Sequence, residues 1–69
     1  MTDTAEQIAA QAIATHGPAN AARLYRETEA AYYSEAQWCD SASDERRKLQ
    51  LAESYGRIAD LIEQQTKGA

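Results

Sequence analysis

Phenylalanine and valine are absent from this 69-residue chain, and leucine and isoleucine supply only four residues each. Together these four types make up about 12% of the chain, a share more usual in disordered proteins. Half of the hydrophobic residues are alanine, the strongest helix former, and the net charge is a modest −4. The balance predicts a helical protein with a thin core of its own. A chain this short is marginal when alone, and association is the usual remedy.

Other scarcities exclude chemistries. The single cysteine, Cys39, has no partner for an internal disulfide, which fits a reducing compartment. One cysteine and one histidine, His16, leave no Cys/His zinc set. The three glycines, Gly17, Gly56 and Gly68, are far apart, so no phosphate-cradling loop is present. No nucleophile–base arrangement is visible, and the expectation is a protein that is not an enzyme and takes no cofactor or metal. No run approaches the roughly 20 apolar residues of a membrane helix. The polar, acidic start Met1–Glu6 is unlike a secretory signal, so a cytoplasmic location is expected. A pI near 4.8 weighs against broad affinity for nucleic acid.

What the chain does contain is helical periodicity. Three helices are expected, over about residues 4–15, 19–40 and 44–66, in one small domain. The first carries Ala5, Ile8, Ala9 and Ala12 on one side, too slight a stripe to be stable without a surface. His16-Gly17-Pro18 ends it: Gly17 suits a left-handed position after a helix, and Pro18 suits the first turn of the next. His16 reads as a capping or dipole partner, with a pH switch as the alternative.

In the second helix an apolar arc gathers two heptad rows, Leu24-Ala31-Trp38 and Tyr25-Tyr32-Cys39, resembling a helix–helix seam. In the third, Leu51, Tyr55, Ile58 and Ile62 follow alternating steps of four and three, widened by Ala52, Ala59 and Leu61. Asp40-Ser41-Ala42-Ser43 holds neither glycine nor proline, yet the phase of the two stripes demands a break. An unbroken helix would set them about 150° apart. Ser41 or Ser43 can cap the last helix, with Asp44 and Glu45 favourable in its first turn. The expected fold is therefore all-α: an antiparallel helical hairpin with a short N-terminal helix. The apolar faces exceed what one hairpin covers, so a homodimer through Leu51, Tyr55, Ile58 and Ile62 is expected. The alternative is a monomer in which helix one lies across its own hairpin.

Several residues have two readings. Tyr33 lies about 100° round from Tyr32, in an otherwise polar row with Arg26 and Gln37. It is either the underside of helix one or, with Arg26 as a planar donor fork, a partner contact. Trp38 is either core or an anchor near the hairpin tip. Gly56 is either a surface glycine or a point of close helix approach. Arg46-Arg47-Lys48 is either a solvated turn beside Asp44-Glu45 or, in a dimer, a nucleic-acid patch. Arg23 and Glu27 form a solvated pair of little worth.

Leu24-Tyr25-Arg26, Tyr32-Tyr33, Trp38 and Asp44-Glu45-Arg46-Arg47, in a chain of this length, resemble the small early-expressed phage anti-activators of bacterial quorum sensing. The resemblance covers helices two and three. It implies a dimeric helical protein of the host cytoplasm that binds an acyl-homoserine-lactone-responsive transcription activator and blocks its DNA binding. It also implies engagement of a type IV pilus assembly ATPase, excluding competing phages. Arg26, Tyr33, Gln37 and Trp38 are the expected partner contacts. The competing functions are a dimeric nucleic-acid accessory protein using Arg46, Arg47 and Lys48, and a plain dimerisation scaffold.

Overall fold

A computed structural model describes residues 4–67, and the acidic start over Met1–Asp3 and the last glycine, Gly68, lie outside them. Three helices, α1 (Ala5–His16), α2 (Pro18–Gln37) and α3 (Ala42–Lys67), account for the described fold, which is all-α. α2 and α3 form the antiparallel hairpin. α1 lies on one face of it and touches both helices, the arrangement held open as the monomeric alternative.

Local signals set the helix ends. Thr4 and Gln7 form a reciprocal capping box: Gln7 N donates to Thr4 Oγ1 at 3.2 Å, and Thr4 N donates to Gln7 Oε1 at 3.1 Å. Between α1 and α2 stands one residue, Gly17, whose N donates to Ile13 O at 2.8 Å. Its φ is 83°, as a glycine after a helix predicts, but its ψ of 155° is extended rather than left-handed helical. This mirror-image β region is open essentially to glycine alone. It lets one residue reverse the chain directly into Pro18. α2 ends three residues earlier than its apolar arc suggested. Trp38 N donates to Glu35 O at 3.1 Å and Cys39 N to Ala36 O at 3.4 Å, which tightens the last turn. Ser41 is the cap of α3, its Oγ accepting from Asp44 N at 3.2 Å.

The core is built of small groups. Ala9, Ala12, Ala21, Ala36, Ala52, Ala59 and Ile62 are buried, and Ile62 is the largest side chain fully enclosed. Gly56 is buried in the α2–α3 seam. A Cβ there would strike the carboxylate of Glu29, whose Cδ would lie only 2.9 Å away. Gly56 is therefore not a surface glycine, and what stands over it is the Glu29 side chain reaching from α2. Around the α1 end of this seam, Ile13, Ala22, Tyr25, Ile58 and Leu61 pack as partly buried neighbours. Tyr33 is absent from that cluster, so it is not the surface on which α1 rests.

The hairpin is long relative to what covers it. The principal extents are 43 × 26 × 18 Å. The accessible surface of 5060 Å² exceeds the roughly 4300 Å² expected of a compact chain of this mass. α1, twelve residues long, spans about 18 Å of the hairpin and leaves the tip half uncovered.

The one-residue link makes a direct prediction. Nothing lies within 4 Å of a Cβ placed on Gly17, so any cost of substitution is backbone strain alone. Gly17→Ala should lower stability by roughly 1–3 kcal/mol, read as a fall in thermal or urea midpoint with helix content retained at low temperature.

Candidate protein-docking surfaces

The polar face of the hairpin is held by a clasp centred on Arg26. Its guanidinium donates to Asp60 Oδ1 at 2.5 Å, to Glu63 Oε1 at 3.1 Å and to Glu29 Oε1 at 3.2 Å. Those hydrogen bonds, the one to Glu63 foremost, hold the Arg26 pKa well above its ordinary value. Arg26 was expected as a free donor fork for a partner's carboxylate. In this structure three carboxylates of its own chain occupy the fork. Arg26 is a staple between α2 and α3, and Glu29, which completes it, sits over Gly56.

A second staple lies towards the tip. Lys48 Nζ donates to Glu35 Oε1 at 3.1 Å and stands 5.3 Å from the centroid of the Tyr32 ring. The bond to Glu35 raises the Lys48 pKa. Both bases have raised folded pKa values, so their pairing stabilises the fold fully below the unfolded pKa. For Lys48 it is lost as pH climbs through the folded value in the alkaline range, whereas Arg26 stays charged throughout. The expected Arg46-Arg47-Lys48 cluster is thereby split. Lys48 belongs to the hairpin, whereas Arg46 and Arg47 are exposed and make no salt bridge among the described residues.

The expected dimer face is divided likewise. Ile62 is fully buried within its own chain, which removes it from any surface offered to a second copy. Leu51, Tyr55 and Ile58 are half-buried. The Tyr55 ring lies 5.6 Å from that of Tyr25 and 5.5 Å from that of Tyr32. Such aromatic pairs contribute about 0.5–1.5 kcal/mol each beyond area burial. With Ile8, Tyr25 and Ser54, these three residues line a groove of about 280 Å³ beside α1. A second shallow groove, about 320 Å³, lies at the open end between Pro18, Ala22 and Thr66.

Trp38 is not core: it is 80% exposed at the hairpin tip. Leu24, expected near the centre of the apolar arc, is 40% exposed, and Ala31 between them is also exposed. The Leu24-Ala31-Trp38 row is thus an uncovered ridge along the outer edge of α2. The parallel row through Tyr25 and Tyr32 is the one that meets α3. Tyr33 is 40% exposed and Gln37 is exposed, both on the side of α2 away from that ridge. Leu49 is also exposed, at a position outside the α3 stripe. Cys39 is half-buried and its Sγ donates to Glu35 O at 3.4 Å. Arg23 donates to Asn20 Oδ1 at 3.2 Å rather than pairing with Glu27.

Among the described residues, no group of three or more His, Cys, Asp and Glu is placed to hold a metal ion, and no helix is long and apolar enough to cross a membrane. No family model, curated protein or solved structure matches this chain.

Two substitutions separate the parts of the clasp. Arg26→Ala leaves three carboxylates facing one another and should cost about 1 kcal/mol, modest because the site is open to solvent. The loss should be largest at low ionic strength in urea melts. Gly56→Ala should fall within about 1 kcal/mol of neutral, because gained helix propensity offsets the displaced, flexible Glu29 carboxylate. Gly56→Leu, which must wedge α2 from α3, should cost more than about 2 kcal/mol in the same melts.

Proposed function

We propose that this chain is a non-enzymatic protein-docking module that acts by occupying a partner's surface. The observation that carries the reading is the uncovered Leu24-Ala31-Trp38 ridge with Trp38 80% exposed at its end. Tryptophan is enriched among the residues that dominate binding energy, and an indole left in water on a small rigid scaffold gains much by burial. The ridge is apolar at its crest and lies on a helix fixed at both ends, so little ordering cost opposes docking. Tyr33 and Gln37 extend the module to the other side of α2.

The partner proposed is the one the resemblance implies, an acyl-homoserine-lactone-responsive transcription activator whose DNA binding is blocked, with the type IV pilus ATPase as a second target. A second copy of the chain is the other occupant to consider. The heptad spacing of Leu24, Ala31 and Trp38 is the spacing through which two helices pair. A homodimer formed there would take the place of the one expected through Leu51, Tyr55, Ile58 and Ile62.

Gel-shift and light-scattering measurements test both. Adding the chain to an activator–operator complex should release the DNA, and Trp38→Ala should abolish release while changing folding stability by no more than about 0.5 kcal/mol. An activator–operator complex unaffected by the wild-type chain would reject this partner. A solution mass of one chain at micromolar concentration would reject the second copy, whereas a dimer that Trp38→Ala dissociates would place it on the ridge.

A further inference from the structure

The opposite edge of the hairpin carries a different surface. Arg46 and Arg57 are eleven residues apart, close to three full turns, and so lie on one side of α3 about 16 Å from each other. Arg47, Gln50 and Ser54 complete an arc of roughly 100° along the outer edge of that helix. All five residues are exposed. None of the three arginines is in a salt bridge among the described residues. The arc contains no carboxylate. The acids of α3, namely Asp44, Glu45, Glu53, Asp60 and Glu63, fall on the rest of its circumference, and Asp60 and Glu63 are spent on Arg26. A chain of net charge −4 therefore holds a positive strip, bordered on one side by the exposed Glu53, which lies about 20° beyond Arg46 and one turn before Arg57.

The strip is not isolated. Ser54 belongs both to it and to the rim of the groove lined by Ile8, Tyr25, Leu51, Tyr55 and Ile58. The Ser54 hydroxyl donates to Gln50 O at 3.0 Å, so its side chain folds onto its own helix and leaves the groove mouth open. An apolar trough thus runs beside Arg47 and Ser54, with Arg46 and Arg57 roughly 100° or more further round the same helix.

We propose that this composite surface receives an amphipathic, acidic helix of a partner protein. Its apolar edge would enter the groove beside α1, and its flanking carboxylates would meet Arg46, Arg47 and Arg57. The guanidinium fork suits carboxylate pairing, and helix-in-groove docking uses this combination of apolar anchors and charged flanks. A nucleic-acid backbone fits less well. Three arginines neutralise few phosphates, the chain repels polyanions overall, and the adjoining apolar groove has nothing to offer a phosphate. This surface is separate from the Trp38 ridge, and the inference does not rest on it.

The test uses the full chain and a fluorescent alanine-based helical peptide with leucines on one face and glutamates beside them. Anisotropy should show binding that weakens with salt, and the same peptide with lysine for glutamate should not bind. The triple variant Arg46→Ala, Arg47→Ala, Arg57→Ala should bind roughly tenfold more weakly with unchanged circular dichroism. At the rim, Ser54→Lys should tighten binding and Ser54→Glu should weaken it, while Trp38→Ala leaves it unaltered. The proposal is overturned if the lysine peptide binds as well, if the two Ser54 variants shift affinity in the same direction, or if Trp38→Ala removes binding. It is equally overturned if a single-stranded oligonucleotide binds the wild-type chain more tightly than the peptide, which would assign the strip to nucleic acid.

Discussion

The close approach of α2 and α3 through alanine and glycine is the constraint on which the rest of the molecule depends. Ala36, Ala52, Gly56 and Ala59 bring few atoms to the seam, so burial yields only modest hydrophobic stabilisation per residue. What the small residues supply is proximity. Polar side chains on the flanks reach across this seam of small residues. Arg26 can gather Asp60 and Glu63 from α3 while holding Glu29 on its own helix over the bare backbone of Gly56. On the opposite flank the same proximity stacks Tyr55 between Tyr25 and Tyr32. The thin apolar core is thus framed by a charged clasp on one side and an aromatic pile on the other.

This arrangement decides which residues are left for function. The chain has few large apolar and few cationic side chains, so each one used in the fold is unavailable to a partner. Ile62, Tyr25, Tyr55 and Tyr32 are used, as are Arg26 and Lys48. What remains is segregated. Leu24, Ala31 and Trp38 lie along the outer edge of α2, and Arg46, Arg47 and Arg57 lie along the outer edge of α3. Surface that a compact monomer would have removed from water therefore sits on two edges of different chemistry.

Much of the fold was legible in the sequence because its signals are local. Thr4 and Gln7 announce a capping box, Gly17-Pro18 a helix boundary, and the phase shift near Ser41 a break without any glycine. The site was legible only in part, for a reason of geometry. A helical wheel gives the width of an apolar face but not which edge of it meets the neighbour. The arc of α2 was centred between its two heptad rows, and the Tyr25-Tyr32 row took the seam. That rotation moved Leu24 and Trp38 from core to surface. One helix viewed alone shows Arg26 only as a member of a polar row. Antiparallel pairing of the two helices brings Arg26 level with the Asp60–Glu63 turn, and that register forms the clasp.

The alternation of used and unused charge also bears on how so small a protein avoids indiscriminate association. An exposed tryptophan ridge is a liability in a chain with little stability to spare. The net charge of −4 keeps copies apart at long range, but over the length of a helix the local pattern matters more. On the α2 edge the ridge is bordered by Glu27 and by Glu35, which Lys48 holds, so an apolar surface that covered Glu27 without pairing it would incur a desolvation cost. On the α3 edge the arginines attract only a surface of opposite sign. In the proposed docking, each edge would select by the charge that surrounds an apolar contact, so that specificity would come from what the borders reject as much as from what the crests bury.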